Sequence, residues 1–306
     1  MNGLQILLGV VFPLLFGAVV AWTTRRDGPN GPASNRWAVP LQVLAIAMGW
    51  SFGQNGLMGG MQYPIISSDG LLRVQVIVVC VLALFGGALL IHRKWADRLT
   101  PTVTLAAIIA AASVLTVVWL RLRAADETGK PAYIGAIFIG AATSALMAWP
   151  LIKMAGENRR ITIAAILAGI TAATAAGLLG TGSESVARLT VGLALVCVGM
   201  LATIIFVRSA AVAAITIAAV CGGLAGPRAA GVLFSSMPLW LALLLAAAPM
   251  CGYLAGKLLG ERGGPALGAA VRIGVPALVA AAGIAPGIIA LVRFVMGEPD
   301  ASDHGY

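Results

Sequence analysis

Ten apolar runs, most of them about 20 residues long, constrain this chain more than any other feature. They fall at 4–22, 38–58, 71–91, 102–120, 132–152, 161–180, 189–207, 209–226, 237–257 and 270–295. Wound as helices at about 1.5 Å per residue, such runs match the roughly 30 Å hydrocarbon thickness of a bilayer. A water-soluble fold cannot hide so many of them. The chain is 60% hydrophobic and only 10% charged, whereas soluble domains carry roughly 25% charged residues. Inside lipid, each spanning backbone must satisfy its own hydrogen bonds, which leaves helices or closed barrels. Barrel strands would alternate over segments of about 10 residues instead. The expected fold is an all-α integral membrane protein of about ten transmembrane helices, forming a single polytopic domain over 1–306.

The second run is the weakest, because Gln42, Gln54 and Asn55 interrupt it. The seventh and eighth are separated by little more than Arg208, so they form either a tight hairpin or one long bent element. The last contains Pro276 and Pro286 and is expected to kink. Ten spans also allow two five-helix halves of inverted topology, 1–155 and 156–306. Both halves end in an Ala-rich, Pro-containing span, although they share no evident sequence identity.

The net charge of +9 and the pI near 10.0 would suggest nucleic-acid binding in a soluble protein. Here the basic residues sit in short loops beside apolar runs, so they are read as topology signals, and no nucleic acid is expected as a partner. With the N-terminus outside, 13 of the 20 Lys and Arg residues fall on the inner side. The positive-inside rule therefore favours both termini outside. The first run lacks a basic flank and an A-x-A cleavage site, so it is read as a retained helix. The Ala/Gly-rich composition points to a bacterial cytoplasmic membrane.

Small residues recur at four-residue intervals, which places them on one helix face. Gly169 and Gly177 in the sixth run, Gly222 in the eighth, and Gly252, Gly256 and Gly260 in the ninth are expected to mediate helix packing. Lipid supplies no hydrophobic drive between helices, so close contact through small faces is how they associate.

The eleven acidic residues lie in loops or at helix ends, and the two histidines, His92 and His304, do as well. This argues against a proton relay built on intramembrane carboxylates. No His-Glu-x-x-His motif and no Ser-His pairing suggests catalysis. Cys80, Cys197, Cys221 and Cys251 stand singly in apolar runs, without metal-ligand spacing. No cofactor or metal is expected. The polar cluster GWSFGQNGLMGGMQYP at 49–64 supplies candidate substrate contacts in Trp50, Ser51, Gln54, Asn55 and Gln62. A Gly-rich break can free backbone groups toward a cavity, and amides bind a polar solute without holding charge. A helix end followed by an interfacial loop explains the same residues. The segment GPRAAGVLFSSMP at 226–238, with Arg228, Ser235 and Ser236, reads as a loop or a short re-entrant piece.

Ten spans with little mass outside them favour a small-solute permease or exporter over an enzyme. A non-catalytic membrane scaffold or accessory subunit is the second reading, and a membrane enzyme acting on lipid is the third. The expected partners are the bilayer, a small polar solute, and either a second copy of the chain or a membrane-complex subunit.

Overall fold

The computed structural model describes residues 3–23, 38–57, 82, 102–122, 130–157, 159–181, 184–207, 209–234, 237–264, 267–268, 270–279, 281–282 and 285. Among these residues the chain is all-helical, with no strand. The helices are α1 (Gly3–Thr23), α2 (Ala38–Leu57), α3 (Thr102–Leu122), α4 (Lys130–Gly156), α5 (Arg160–Gly180), α6 (Glu184–Phe206), α7 (Ala214–Gly223), α8 (Ala225–Phe234), α9 (Leu239–Gly263) and α10 (Ala270–Val279). Six spans are long and apolar enough to cross a membrane: α1, α4, α5, α6, the α7–α8 unit and α9. They are compatible with a multi-pass membrane location. The run at 71–91 lies outside the described residues, apart from Leu82.

The interior and the outer face differ as lipid solvation requires. Phe138, Phe206 and Leu278 are each more than 70% exposed, which water would penalise and hydrocarbon does not. The α7–α8 unit is the central element, with 89% of its span buried. The eighth run begins later and ends later than the sequence suggested, at Ala214–Leu233. Residues 209–213 form the non-helical connection between α6 and α7. Arg160 pins that connection by donating from Nη1 to the Ala210 carbonyl at 3.0 Å.

Glycines set how closely the helices approach. A Cβ on Gly17 of α1 would overlap the Val196 carbonyl of α6, and one on Gly199 of α6 would overlap the Leu14 carbonyl of α1. On α2, Gly56 lies against the backbone of Gly9, and a Cβ on Gly53 would come within 2.7 Å of Gly192 Cα. Phe52 fills the remaining space, stacked on Phe12 and Phe16 with centroids 5.1 and 5.8 Å away. A π-turn at Leu7–Val11 precedes Pro13, and the Phe12 N–H donates to the Leu7 carbonyl five residues back. Widening the helix there relieves the clash a proline ring makes with the preceding turn.

Among the packing glycines expected from the sequence, Gly222 sits against Ile109 and the Ala106 carbonyl of α3. Gly252 faces Pro276 and the Arg272 carbonyl, and Gly256 lies under the Arg272 side chain. Gly177 is buried. Gly169 is different, since a Cβ there would meet nothing within 4 Å. Gly260 is helical, and its surroundings lie outside the described side chains. Gly264, at φ 88°, terminates α9 in the left-handed conformation that glycine adopts without steric cost.

Arg272 is 8% exposed and reaches Glu157 at 3.4 Å, tying α10 to the α4–α5 turn. Leucine at Gly256 would displace the Arg272 stem and open this pair. The expected cost is about 1–3 kcal/mol, as for other overpacked sites. It is read as a lower melting temperature in detergent, and an unchanged melting profile would contradict the packing role.

Candidate functional site

Arginines in a membrane protein normally end at carbonyls or carboxylates near helix termini. Arg160 and Arg272 follow that rule, as does Arg188, which donates to the Leu57 carbonyl at the end of α2 at 3.3 Å. Arg228 does not. The sequence reads its segment as a loop or a short re-entrant piece, because Gly226 and Pro227 look like breakers. The structure instead makes Ala225–Phe234 a helix, and the Arg228 N–H donates to the Leu224 carbonyl at 3.2 Å. Proline is tolerated there because it occupies the first helical turn, where backbone N–H groups have few partners anyway. Arg228 therefore sits five residues inside the span Ala214–Leu233, about 7 Å from its end.

The guanidinium is 5% exposed. Its Nη1 and Nη2 lie 3.6 and 3.5 Å from Met147 Sδ on α4, and Nη2 lies 3.5 Å from Thr174 Oγ1 on α5. Thr174 donates its own hydroxyl proton to the Ile170 carbonyl at 2.8 Å, which turns its lone pairs toward the arginine. These are weak acceptors for a full positive charge, since thioether sulfur accepts poorly. Arg228 Nε has no hydrogen-bond partner among the described residues. No ion pair of Arg228 occurs among the described residues.

Beside Arg228 a cleft of about 180 Å³ opens between α4, α8 and α9. Ile139, Gly140 and Thr143 of α4 form one wall, Val232 of α8 another, and Leu239 and Leu243 of α9 the third. Ile139, Leu239 and Leu243 are exposed, so the mouth lies on the outer, lipid-facing side of the bundle. Gly140 lets α4 approach closely, with Val114 of α3 and Ala225 of α8 against it. Ser144 lies one turn further along α4. It and Ser113 on α3 are fully buried hydroxyls without a partner.

The structure spreads the sequence-derived site residues along the last two turns of α2. Trp50 is fully buried, and its Nε1–H donates to the Leu189 carbonyl of α6 at 2.8 Å. Gln54 is buried, while Ser51 and Asn55 are partly exposed. Gln62 lies outside the described residues. Gly49, Gly53 and Gly56 of this stretch are helical and packed against α1 and α6. Upstream on the same helix, Gln42 accepts a 2.9 Å hydrogen bond from Thr216 of α7.

Cys197 and Cys221 are buried free thiols and Cys251 is an exposed one, while Cys80 lies outside the described residues. Among the described residues, no group of three or more His, Cys, Asp or Glu could hold a metal ion. Arg228 was missed because loop-forming dipeptides outweighed periodicity. The signal was present in the apolar Val232, Leu233 and Phe234, which extend the span beyond the arginine. No family model matches the chain, and neither a curated protein nor a solved structure matches it.

Proposed function

We propose that the chain is a small-solute permease or exporter of a bacterial cytoplasmic membrane, with Arg228 at its solute site. The observation that carries this reading is a buried cation inside a span, beside a cleft, whose hydrogen-bond partners among the described residues are a thioether and a hydroxyl. On insertion scales an arginine costs about 2.5–3.5 kcal/mol at the centre of a span and less toward its ends, so a charge at this depth still carries a penalty. A scaffold would gain by replacing it with an apolar residue, whereas a solute site has a use for it.

Ten crossings remain the proposed count, with both termini outside. In support, α2 and α3 both run from the end of the bundle that carries Arg160 to the end that carries Arg188. An odd number of crossings between them would produce that arrangement, and the apolar run at 71–91 is the proposed one.

The test is a thermal-shift screen of the purified protein against metabolites, ions and lipids. A ligand bound only by the folded state adds about 2.7 kcal/mol at 100 times its dissociation constant. A dose-dependent shift from one anionic solute class is the expected result. A folded protein that responds to nothing, and copurifies with a partner in fixed stoichiometry, would replace the permease by the accessory-subunit reading. The α2 amides do not line the Arg228 cleft; they are proposed as a second, separate solute contact and are tested in the same assay. Gln54→Ala and Asn55→Ala are expected to fold and to weaken solute binding, and wild-type affinity in both would remove α2 from the site.

A further inference from the structure

We infer that the Arg228 cleft selects a compact organic monoanion, with an aryl or similarly sized alkyl body and one carboxylate-like head. The inference deepens the permease reading, and rests on it only in treating the ligand as cargo.

Two independent observations meet at this cleft. The first is charge. Arg228 lines the cleft and is 5% exposed; its Nη atoms turn toward Met147 and Thr174, neither of which lines the cleft, and its Nε–H is buried without a partner among the described residues. An anionic head offers the guanidinium charge-assisted hydrogen bonds far stronger than those it makes to Met147. Meeting a head group in the cleft takes a rotation of the Arg228 side chain away from Met147, whose sulfur is a weak acceptor and holds it loosely. The second is shape. The rest of the lining is apolar, from Ile139 and Val232 to Leu239 and Leu243. Inorganic phosphate or chloride would leave those walls unfilled. The volume of this open cleft, about 180 Å³, is of the order of the roughly 150 Å³ cavity that accepts a benzene ring. Because the mouth faces outward, an anionic lipid headgroup is the competing occupant, and the experiment separates the two.

The experiment measures binding of radiolabelled benzoate to the full chain in nanodiscs of zwitterionic lipid, with competition by benzamide and acetate. Benzamide keeps the body and lacks the charge, and acetate keeps the charge and lacks the body. Each is expected to bind at least tenfold more weakly than benzoate. Arg228→Gln should weaken benzoate binding at least tenfold. Thr143→Leu, which fills the cleft without touching the arginine, should weaken it at least threefold and keeps the test decisive if the arginine variant misfolds. Nanodiscs containing phosphatidylglycerol should leave benzoate affinity unchanged. Equal binding of benzamide, wild-type affinity in Arg228→Gln or Thr143→Leu, or displacement of benzoate by the anionic lipid would each overturn the assignment. A flux of some other solute class in the face of that result would leave the permease reading standing.

Discussion

Replacing Gly199 with leucine is expected to prevent assembly of a stable bundle. Its added side chain would drive into the Leu14 carbonyl of α1, and Gly17 meets Val196 and Met200 of α6 from the opposite direction. Both obstacles are backbone, which cannot rotate away as a side chain can. The two helices must separate along their length, so the cost should exceed the roughly 1–3 kcal/mol of ordinary overpacking. The expected readout is loss of the monodisperse species in detergent, or a melting temperature far below that of the wild type. Gly169 is the matched control. A Cβ there meets nothing within 4 Å, so Gly169→Ala should gain up to about 1 kcal/mol of helix propensity. A Gly199→Leu protein that melts like the wild type would remove the α1–α6 contact from the account.

Arg228→Met is expected to separate stability from function. Methionine spans similar length, fills the same space against Met147 and Thr174, and removes a charge that no carboxylate balances among the described residues. Replacing buried ionic groups by apolar ones of similar volume often stabilises proteins by about 1–4 kcal/mol. The variant should therefore melt higher than the wild type while losing its response to anionic ligands. A lower melting temperature would instead mark Arg228 as a structural strut whose contacts to α4 and α5 hold the bundle together.

Hydrophobic length made the helices legible from sequence. The run 161–180 corresponds to Arg160–Gly180, and 4–22 to Gly3–Thr23, because a backbone in hydrocarbon has no alternative to the helix. Helix contacts were less legible. A four-residue ladder identifies a small face but not what lies opposite. Gly252 and Gly256 face α10, whereas Gly169 leaves room for a side chain. One of the two closest glycine approaches joins Gly17 to residues some 180 positions away in sequence, and no local pattern announces such a contact. At the site, polar density drew attention to α2, whose Trp50 indole is satisfied by the Leu189 carbonyl. The single charge at Arg228 was obscured by Gly226 and Pro227, which break helices in water but only start a new turn inside this bundle.

Anion flux through the Arg228 cleft is the most direct measure of the central claim. Benzenesulfonate suits it, because it stays charged and cannot cross lipid as a neutral acid. Its uptake into liposomes should be compared for equal amounts of wild-type protein and Arg228→Met. The account predicts saturable uptake by the wild type and at least a tenfold lower rate for the variant. Equal rates in the two, or no uptake above protein-free liposomes, would contradict it.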